Sequence, residues 1–148
     1  MMKNMVSISQ LTKASEKSLA AINHLLPQLS EKETPLSLRD LKKILEQKDF
    51  FLFVAREGGK IIGMASMYIT KLVSGIDANI DDVVVHEAYR GKGVGRSLME
   101  TLIERAGKEE AAYVDLTSKP WRVAANELYH TLGFEKRQTN VYRLTIAK

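Results

Sequence analysis

A chain of 148 residues, of which 45% are hydrophobic and 27% charged, is long enough to fold around one buried core. It contains no cysteine, which excludes disulfides, thiolate metal sites and acyl-cysteine chemistry, and its histidines His24, His86 and His130 do not have zinc-ligand spacing. The net charge of +4 suits an anionic ligand, but the chain lacks the lysine-rich tail and interleaved aromatic residues typical of nucleic-acid binding.

Hydropathy gives no indication of a membrane protein. No apolar run approaches the roughly 18 residues that span a bilayer, and the first residues lack the apolar segment of a signal peptide. We therefore expect a cytoplasmic protein with no membrane contact, folded as a single domain over residues 1–148.

The first half of the chain combines helical apolar spacing with a later change to strand-like runs. Pro27 is expected to end the first helix, Ser37 to cap the second, and Gly58-Gly59 to form a tight hairpin turn. The predicted elements are, in chain order, a strand at Met5–Ser9, helices at about Thr12–Leu26 and Ser37–Gln47, and strands at Phe50–Glu57, Ile61–Thr70 and Ile80–Val85.

The second half alternates strands with helices. The predicted elements are a helix at about Gly93–Lys108, a strand at Ala112–Thr117, a helix that begins near Ser118 and Pro120 and ends at Leu132, and short strands at Phe134–Arg137 and Val141–Ile146. Three successive strands followed by an alternating section indicate an α/β fold with a mixed sheet of seven strands and about four helices on its two faces.

The most informative segment joins the fourth strand to the following helix, VVVHEAYRGKGVGRSLME. Its alternating glycines Gly91, Gly93 and Gly95 let the backbone turn sharply and approach a ligand. A helix start offers unpaired N–H groups and the positive end of the helix dipole, which together suit a pyrophosphate. Arg90, Lys92 and Arg96 add positive charge to the same loop.

Three nucleotide-loop patterns were compared with this segment. A Walker loop requires a lysine followed by a hydroxyl residue, which is missing here. A dinucleotide-binding loop requires GxGxxG, whereas the spacing here is GxGxG; Asp115 lies at a suitable distance for the ribose acid, but the upstream hairpin does not suit the repeated βαβ units of that fold. The third pattern, Gln/Arg-x-x-Gly-x-Gly/Ala, is matched fully from Arg90 to Gly95.

This third pattern is the acetyl-CoA loop of GNAT acetyltransferases, and the likeness extends over nearly the whole chain. The segment LTSKPWRVAANELYHTLGFEKRQTNVYRL, residues Leu116–Leu144, resembles the C-terminal half of small bacterial acetyltransferases. The first 45 residues are similar only in pattern. The resemblance implies a GNAT fold, with strands four and five splayed around the cofactor arm.

The resemblance implies acetyl-CoA as co-substrate, with no metal. On this basis the main chain of the fourth strand would hold the pantetheine arm, loop amides would hold the pyrophosphate, and Asn126 and Tyr129 on the last helix would lie at the cofactor. The implied cofactor-binding residues are Val83, Val84, Val85, Arg90, Gly91, Lys92, Gly93, Val94, Gly95, Arg96, Asn126 and Tyr129.

The resemblance also implies the catalytic groups. Tyr129 matches the family tyrosine that stands near the CoA sulfur, and a phenol can donate a proton to the departing thiolate. Asp81 and Asp82 begin the fourth strand, where several family members carry the acid that deprotonates the amine. Alternation along a strand sends their side chains to opposite faces, and Asp81 is preferred as the base while Asp82 remains an alternative.

The implied function is direct transfer of an acetyl group from acetyl-CoA to a primary amine in a ternary complex. A non-catalytic acyl-CoA-binding regulatory module would use the same fold. The sequence does not identify the amine, which could belong to a small molecule or to a peptide, and since many relatives are dimers, a homodimer is compatible with the resemblance.

Overall fold

Five strands form one mixed sheet in the computed structural model, which describes residues 5–29 and 34–147. The strands lie in chain order; the first four are antiparallel neighbours and the fifth pairs parallel with the fourth. The elements are β1 (Val6–Gln10), α1 (Glu16–Leu29), α2 (Leu38–Leu45), β2 (Phe50–Glu57), β3 (Lys60–Leu72), β4 (Gly75–Val85), a 3-10 turn (Glu87–Tyr89), α3 (Val94–Lys108), β5 (Tyr113–Asp115) and α4 (Val123–Thr131).

Two of the three local signals in the first half act as the sequence predicts. Ser37 caps α2, its side chain accepting a hydrogen bond from the Asp40 N–H at 3.1 Å. Gly58 and Gly59 join β2 to β3 with φ angles of +57° and +82°, a conformation that other residues adopt at a cost. The predicted bounds of β2 are confirmed at both ends.

One face of the sheet packs against α1 and α2. Phe50, Leu52 and Val54 alternate along β2 and lie in one buried cluster with Ile22, Leu25 and Leu41 of the two helices. Asn23 of α1 also holds the entry to α2: its amide donates to the Leu36 carbonyl at 2.9 Å and accepts from the Leu36 N–H at 2.8 Å.

The opposite face packs against α3. Leu98, Met99 and Leu102 are completely buried, as are Ala65 and Met67 of β3. A Cβ built on Gly63 would lie 3.4 Å from Leu98 Cδ1 and 3.1 Å from the Val84 carbonyl oxygen, so β3, β4 and α3 meet closely at this glycine. The rigid packing behind β4 fixes where its following loop begins.

Three predicted element bounds differ from the structure by three residues or more in the first 117 residues. One is the start of α1, which lies at Glu16 rather than near Thr12. Pro27 does not end α1, which continues to Leu29 with the proline inside its last turn. A proline there removes one hydrogen bond, and the buried Leu25 still anchors the turn before it. The fourth strand begins at Gly75 rather than Ile80, because β3 is also longer and the two pair down to their connecting turn.

The seven-strand count is not confirmed, since the described residues form a five-stranded sheet. The predicted strands Phe134–Arg137 and Val141–Ile146 are not formed, and residues 134–147 have no regular secondary structure. Val141 and Ile146, at the two ends of the second predicted strand, are largely exposed. A strand exists only when its backbone groups pair with a neighbour, and propensity alone supplies no partner.

The chain divides into two compact units, residues 1–117 and residues 118–148. The first unit contains the whole sheet with α1, α2 and α3, and the second contains α4 and the residues around it. The single domain over residues 1–148 stays a prediction.

Candidate functional site

A β-bulge interrupts β4 immediately before its last residues. Met64 pairs with Val84 but Ser66 pairs with Asp81, so β4 contains one more residue than β3 across this interval. Asp82 has a φ of +51°, the left-handed conformation that one residue of such a bulge can take. The bulge increases local twist and re-aims the side chains beside it.

Beyond the bulge, β4 leaves one edge without a strand partner in the described chain. The pairing with β5 covers only Asp77–Asn79, so β4 from Ile80 to Val85 extends past it. The His86 N–H bonds the Ile62 carbonyl at 2.8 Å, and the Val84 carbonyl also faces β3. Because successive peptide groups alternate in direction, the Val85 N–H points toward the open edge. This is the edge that the predicted splaying of strands four and five requires.

The loop after β4 brings two left-handed glycines to the start of α3. Gly91 and Gly93 have φ angles of +76° and +83°, and a Cβ built on either would meet no atom within 4 Å in the described chain. Gly93 is the N-cap and offers no side chain, while the first bond inside the helix runs from the Ser97 N–H to the Gly93 carbonyl. The N–H groups of Val94 and Gly95 therefore precede the first helical hydrogen bond.

The electrostatics of this helix start favour an anion. The first turn of α3, which is fully described, contains no acidic side chain. The partial positive charge of the helix dipole therefore acts with the loop amides on the same open space. An anion such as a pyrophosphate is the kind of ligand that the backbone from Gly91 to Gly95 could hold.

The three basic side chains of the loop have protein partners that sequence reasoning missed. The Arg90 guanidinium donates to the Val85 carbonyl at 3.0 Å and to the Gln28 amide oxygen at 3.2 Å. Arg96 pairs with Glu100 at 2.8 Å, and the Lys92 ammonium lies 5.6 Å from the centre of the Tyr89 ring. Their side chains stabilise the loop as well as adding charge to it.

The acidic pair lies on the sheet face that packs against α1 and α2. Ser66, which is 1% exposed, donates to the main-chain oxygen of Asp81 at 3.1 Å and lies 3.3 Å from the Asp82 carboxylate. Asp81 is exposed, yet partial burial, and then the charge of Asp82, raises the pKa of its carboxyl above the ordinary value. A raised pKa is what a carboxylate needs to act as a general base.

Tyr68 belongs to the same group, and sequence reasoning missed it. It lies two residues beyond Ser66 on β3, on the same face, with its ring 4.9 Å from that of Phe50. Burial, followed by the charges of Asp82 and Asp81, raises the pKa of its phenol. Only the pairing register of β3 with β4 indicates that Tyr68 lies near the two aspartates, and the bulge makes that register hard to predict from sequence.

The second unit positions the two residues predicted on the last helix. Tyr129 is buried in α4 and its ring lies 5.9 Å from that of Phe134, edge to face. Burial raises the pKa of its phenol, and Arg122 partly opposes this shift. Asn126, one turn earlier, donates to the Lys119 carbonyl at 3.1 Å, so its side chain also fixes the chain before the helix.

The residues that the structure describes, 5–29 and 34–147, contain neither a metal-binding cluster nor a membrane-spanning helix. Within these residues, no group of three or more histidine, aspartate or glutamate side chains could hold a metal ion. The same part of the chain contains no helix with the length and apolar character needed to cross a bilayer.

Comparison with known proteins identifies a family over most of the chain. The family model described as "Acetyltransferase (GNAT) family" matches residues 19–134. An acetyltransferase of Trypanosoma brucei has a solved structure that superposes with a TM-score of 0.80 at 28% identity, over 96% of this chain and 100% of that one.

Two characterised relatives match the chain over part of their length. The [Ribosomal protein bS18]-alanine N-acetyltransferase of Escherichia coli is 33% identical over 84 residues, which cover 57% of this chain and 54% of that protein. The L-methionine sulfoximine/L-methionine sulfone acetyltransferase of Salmonella typhimurium is 31% identical over 84 residues, 56% of this chain and 49% of that protein. The chain spans about half the length of the curated relatives that it matches first.

Proposed function

Because this chain belongs to the GNAT family of acetyltransferases, we propose that it transfers an acetyl group from acetyl-CoA to a primary amine by direct attack in a ternary complex. One observation carries the proposal: the open edge of β4 leads directly into a loop with left-handed glycines at the start of α3. The open strand edge can pair with an extended, amide-containing arm, and the loop that follows it can hold a diphosphate.

Main-chain groups account for most of the proposed binding. Val83 and Val85 would hold the pantetheine arm, with the Val85 N–H at the open edge polarising the thioester carbonyl. Val84 contributes by packing, because its carbonyl faces β3 and its side chain is 5% exposed. The diphosphate would lie against the amides of the loop from Gly91 to Gly95, with Lys92 and Arg96 adding positive charge nearby.

The proposed reaction needs one proton acceptor and one proton donor. The amine nitrogen attacks the thioester carbon, the carbon–sulfur bond breaks, Asp81 takes the amine proton and a phenol returns a proton to the sulfur. Asp81 is favoured over Asp82 because its pKa is raised, whereas the Asp82 carboxylate accepts a hydrogen bond from Ser66; both residues are exposed. Tyr129 remains our proposal for the proton donor, since an ordinary phenol is protonated at neutral pH and burial raises the pKa of this one further.

The acceptor is proposed only as a class. The Escherichia coli relative acts on the alanine of a ribosomal protein and the Salmonella relative on two small methionine derivatives, by their names. Both a peptide amine and a small-molecule amine are therefore represented among proteins similar to this chain. Two carboxylates beside the open strand edge would attract a positively charged amine group.

The experiment combines a binding measurement with a panel of acceptors. We expect calorimetry to detect acetyl-CoA binding, and at least one amine among peptide N-termini, lysine, polyamines, amino acids and aminosugars to release free CoA thiol. Binding without thiol release across the panel would favour a non-catalytic acyl-CoA-binding module. No binding of any CoA species at high protein concentration would contradict the proposal.

A further inference from the structure

A short hydrogen-bonded link joins α1 to the loop that the proposed function assigns to the diphosphate. We propose that Gln28 is a positioning residue for this loop, acting through Arg90, and that the Arg90 guanidinium anchors the loop to the protein rather than contacting the cofactor. The inference rests on the proposed function for its catalytic readout only.

The Gln28 side chain reaches two groups of the loop from the last turn of α1. Its amide oxygen accepts from the Glu87 N–H at 3.2 Å and from Arg90 Nη2 at 3.2 Å. Arg90 Nε donates in turn to the Val85 carbonyl at 3.0 Å. The turn between Val85 and Arg90 is therefore held at both ends by one glutamine and one arginine.

Aromatic contacts support the same link along a second line. The His24 ring of α1 stacks on His86 with centroids 5.4 Å apart and an angle of 13°, and Tyr89 meets His86 edge to face at 5.9 Å. His86 Nδ1 accepts from the Ala88 N–H at 3.1 Å, which fixes the ring against the turn. Lys92 over the Tyr89 ring extends the contacts to the first glycines.

This arrangement matters because the next residues are the least constrained ones in the loop. Gly91 and Gly93 lose more conformational freedom on ordering than other residues, so a loop containing them binds weakly unless something orders it beforehand. Fixing Arg90 immediately upstream limits the positions that Gly91 can take. Gln28 thus lowers the ordering cost that would otherwise reduce affinity for the cofactor.

The geometry also separates two roles for Arg90 that the sequence could not distinguish. A guanidinium that donates from Nε to a strand carbonyl and from Nη2 to a side-chain amide has those donors turned toward β4 and α1. If the guanidinium is an anchor, its removal and the removal of Gln28 should disable the same link. If it binds the diphosphate directly, the two losses should add.

The test uses Gln28→Ala, Arg90→Ala and the double variant in the full chain, with Gln47→Ala as the matched control. Gln47 also lies at a helix end, where its amide donates to the Ile44 carbonyl, but it is remote from the loop in sequence and exposed. We expect Gln28→Ala to raise the KM for acetyl-CoA about 10-fold with kcat within about 2-fold. Gln28→Glu, which keeps the accepting oxygen, should restore the wild-type KM, and Gln47→Ala should not change it.

Two outcomes would overturn the inference. The first is a double variant whose KM rises by the full product of the two single effects, since two residues that share one link should have a combined effect smaller than that product. The second is unchanged amide hydrogen exchange at residues 86–93 in unliganded Gln28→Ala, which should exchange faster if the link orders the loop. The exchange measurement needs no acetyl-CoA, so it decides the inference even if the proposed function fails.

Discussion

Asp81 and Asp82 are adjacent in the chain, yet the bulge gives their carboxyl groups different surroundings. Asp82 takes the left-handed conformation and accepts a hydrogen bond from the buried Ser66, whereas Asp81 has a raised pKa; both residues are exposed. Simple strand alternation predicted opposite faces, and the register shift changes that geometry. The difference between the two residues can be measured by changing one carboxylate and titrating the other.

We expect Asp82→Asn to move the acidic limb of the kcat/KM profile to lower pH. Asp81 must be ionised to accept a proton, so its raised pKa places that limb above the ordinary range of an aspartate. The exchange removes the charge of Asp82, the smaller cause of the shift, and leaves burial, so the limb should move only part of the way. Asparagine tolerates the left-handed conformation, which keeps the bulge intact.

The companion variant Asp81→Asn checks the assignment. If Asp81 is the base, the kcat of the Asp81→Asn variant should fall about 100-fold, while its affinity for acetyl-CoA should stay unchanged. A limb that stays in place in Asp82→Asn, or a larger loss of kcat in that variant than in Asp81→Asn, would transfer the role to Asp82.

Tyr129→Phe tests the proposed proton donor. Burial raises the pKa of this phenol, and the opposing effect of Arg122 is smaller, so the hydroxyl stays protonated at neutral pH. We expect kcat to fall by about 10- to 100-fold and the Kd for acetyl-CoA to stay the same, because only proton donation is removed. Tyr142→Phe is the control, since Tyr142 is 85% exposed. Equal turnover in both variants would remove Tyr129 from the mechanism.

Among the secondary-structure elements, those that depend on a few neighbouring residues were predicted correctly. The hairpin from β2 to β3 and the N-cap of α2 were predicted correctly because the required residues, two glycines and a serine, act within three or four positions. The Asp82 bulge could not be predicted, since it depends on how β4 pairs with β3. The end of α1 was misplaced because buried packing outweighs the loss of one hydrogen bond at Pro27.

Two glycines with nearly equal φ angles allow the role of the phosphate loop in cofactor binding to be tested separately from its contribution to stability. Gly93 and Gly59 have φ angles of +83° and +82°, and a Cβ on either meets no atom within 4 Å in the described chain. Alanine should cost about 1 kcal/mol of stability at each position through backbone strain. Only Gly93→Ala should also raise the Kd for acetyl-CoA, by about 10-fold or more, because its methyl group enters the space proposed for the diphosphate.

Calorimetric titration and thermal unfolding of both variants give the comparison directly. Equal Tm decreases with unequal Kd values are the expected result. A Gly59→Ala variant that loses as much affinity as Gly93→Ala would mean that strain alone, and not the position of the glycine, accounts for weaker binding.

At the scale of the whole molecule, the site combines groups that differ in how far apart they lie in the sequence. The loop from Arg90 to Gly95 is continuous, and the sharp turns at Gly91 and Gly93 were predicted from the glycine spacing, whereas Gly95 lies within α3. Tyr68 and Asp81 are brought to one sheet face by strand register, and Gln28 reaches Arg90 across 62 positions of the chain. Such long-range placement follows from packing, which a single sequence read locally does not reveal.

Binding should be visible in the stability of the complete chain. A ligand that binds only the native state at 100 times its Kd adds about 2.7 kcal/mol to the free energy of unfolding. For a chain of this size that corresponds to a Tm rise of roughly 5 to 10 °C. We expect this rise with acetyl-CoA and none with NAD, because the GxGxG loop lacks the spacing of a dinucleotide-binding turn. Thermal unfolding at several ligand concentrations measures the Tm change with acetyl-CoA and with NAD. A Tm rise with NAD alone would point to dinucleotide binding instead, because the ligand that stabilises the native state is the one that it binds.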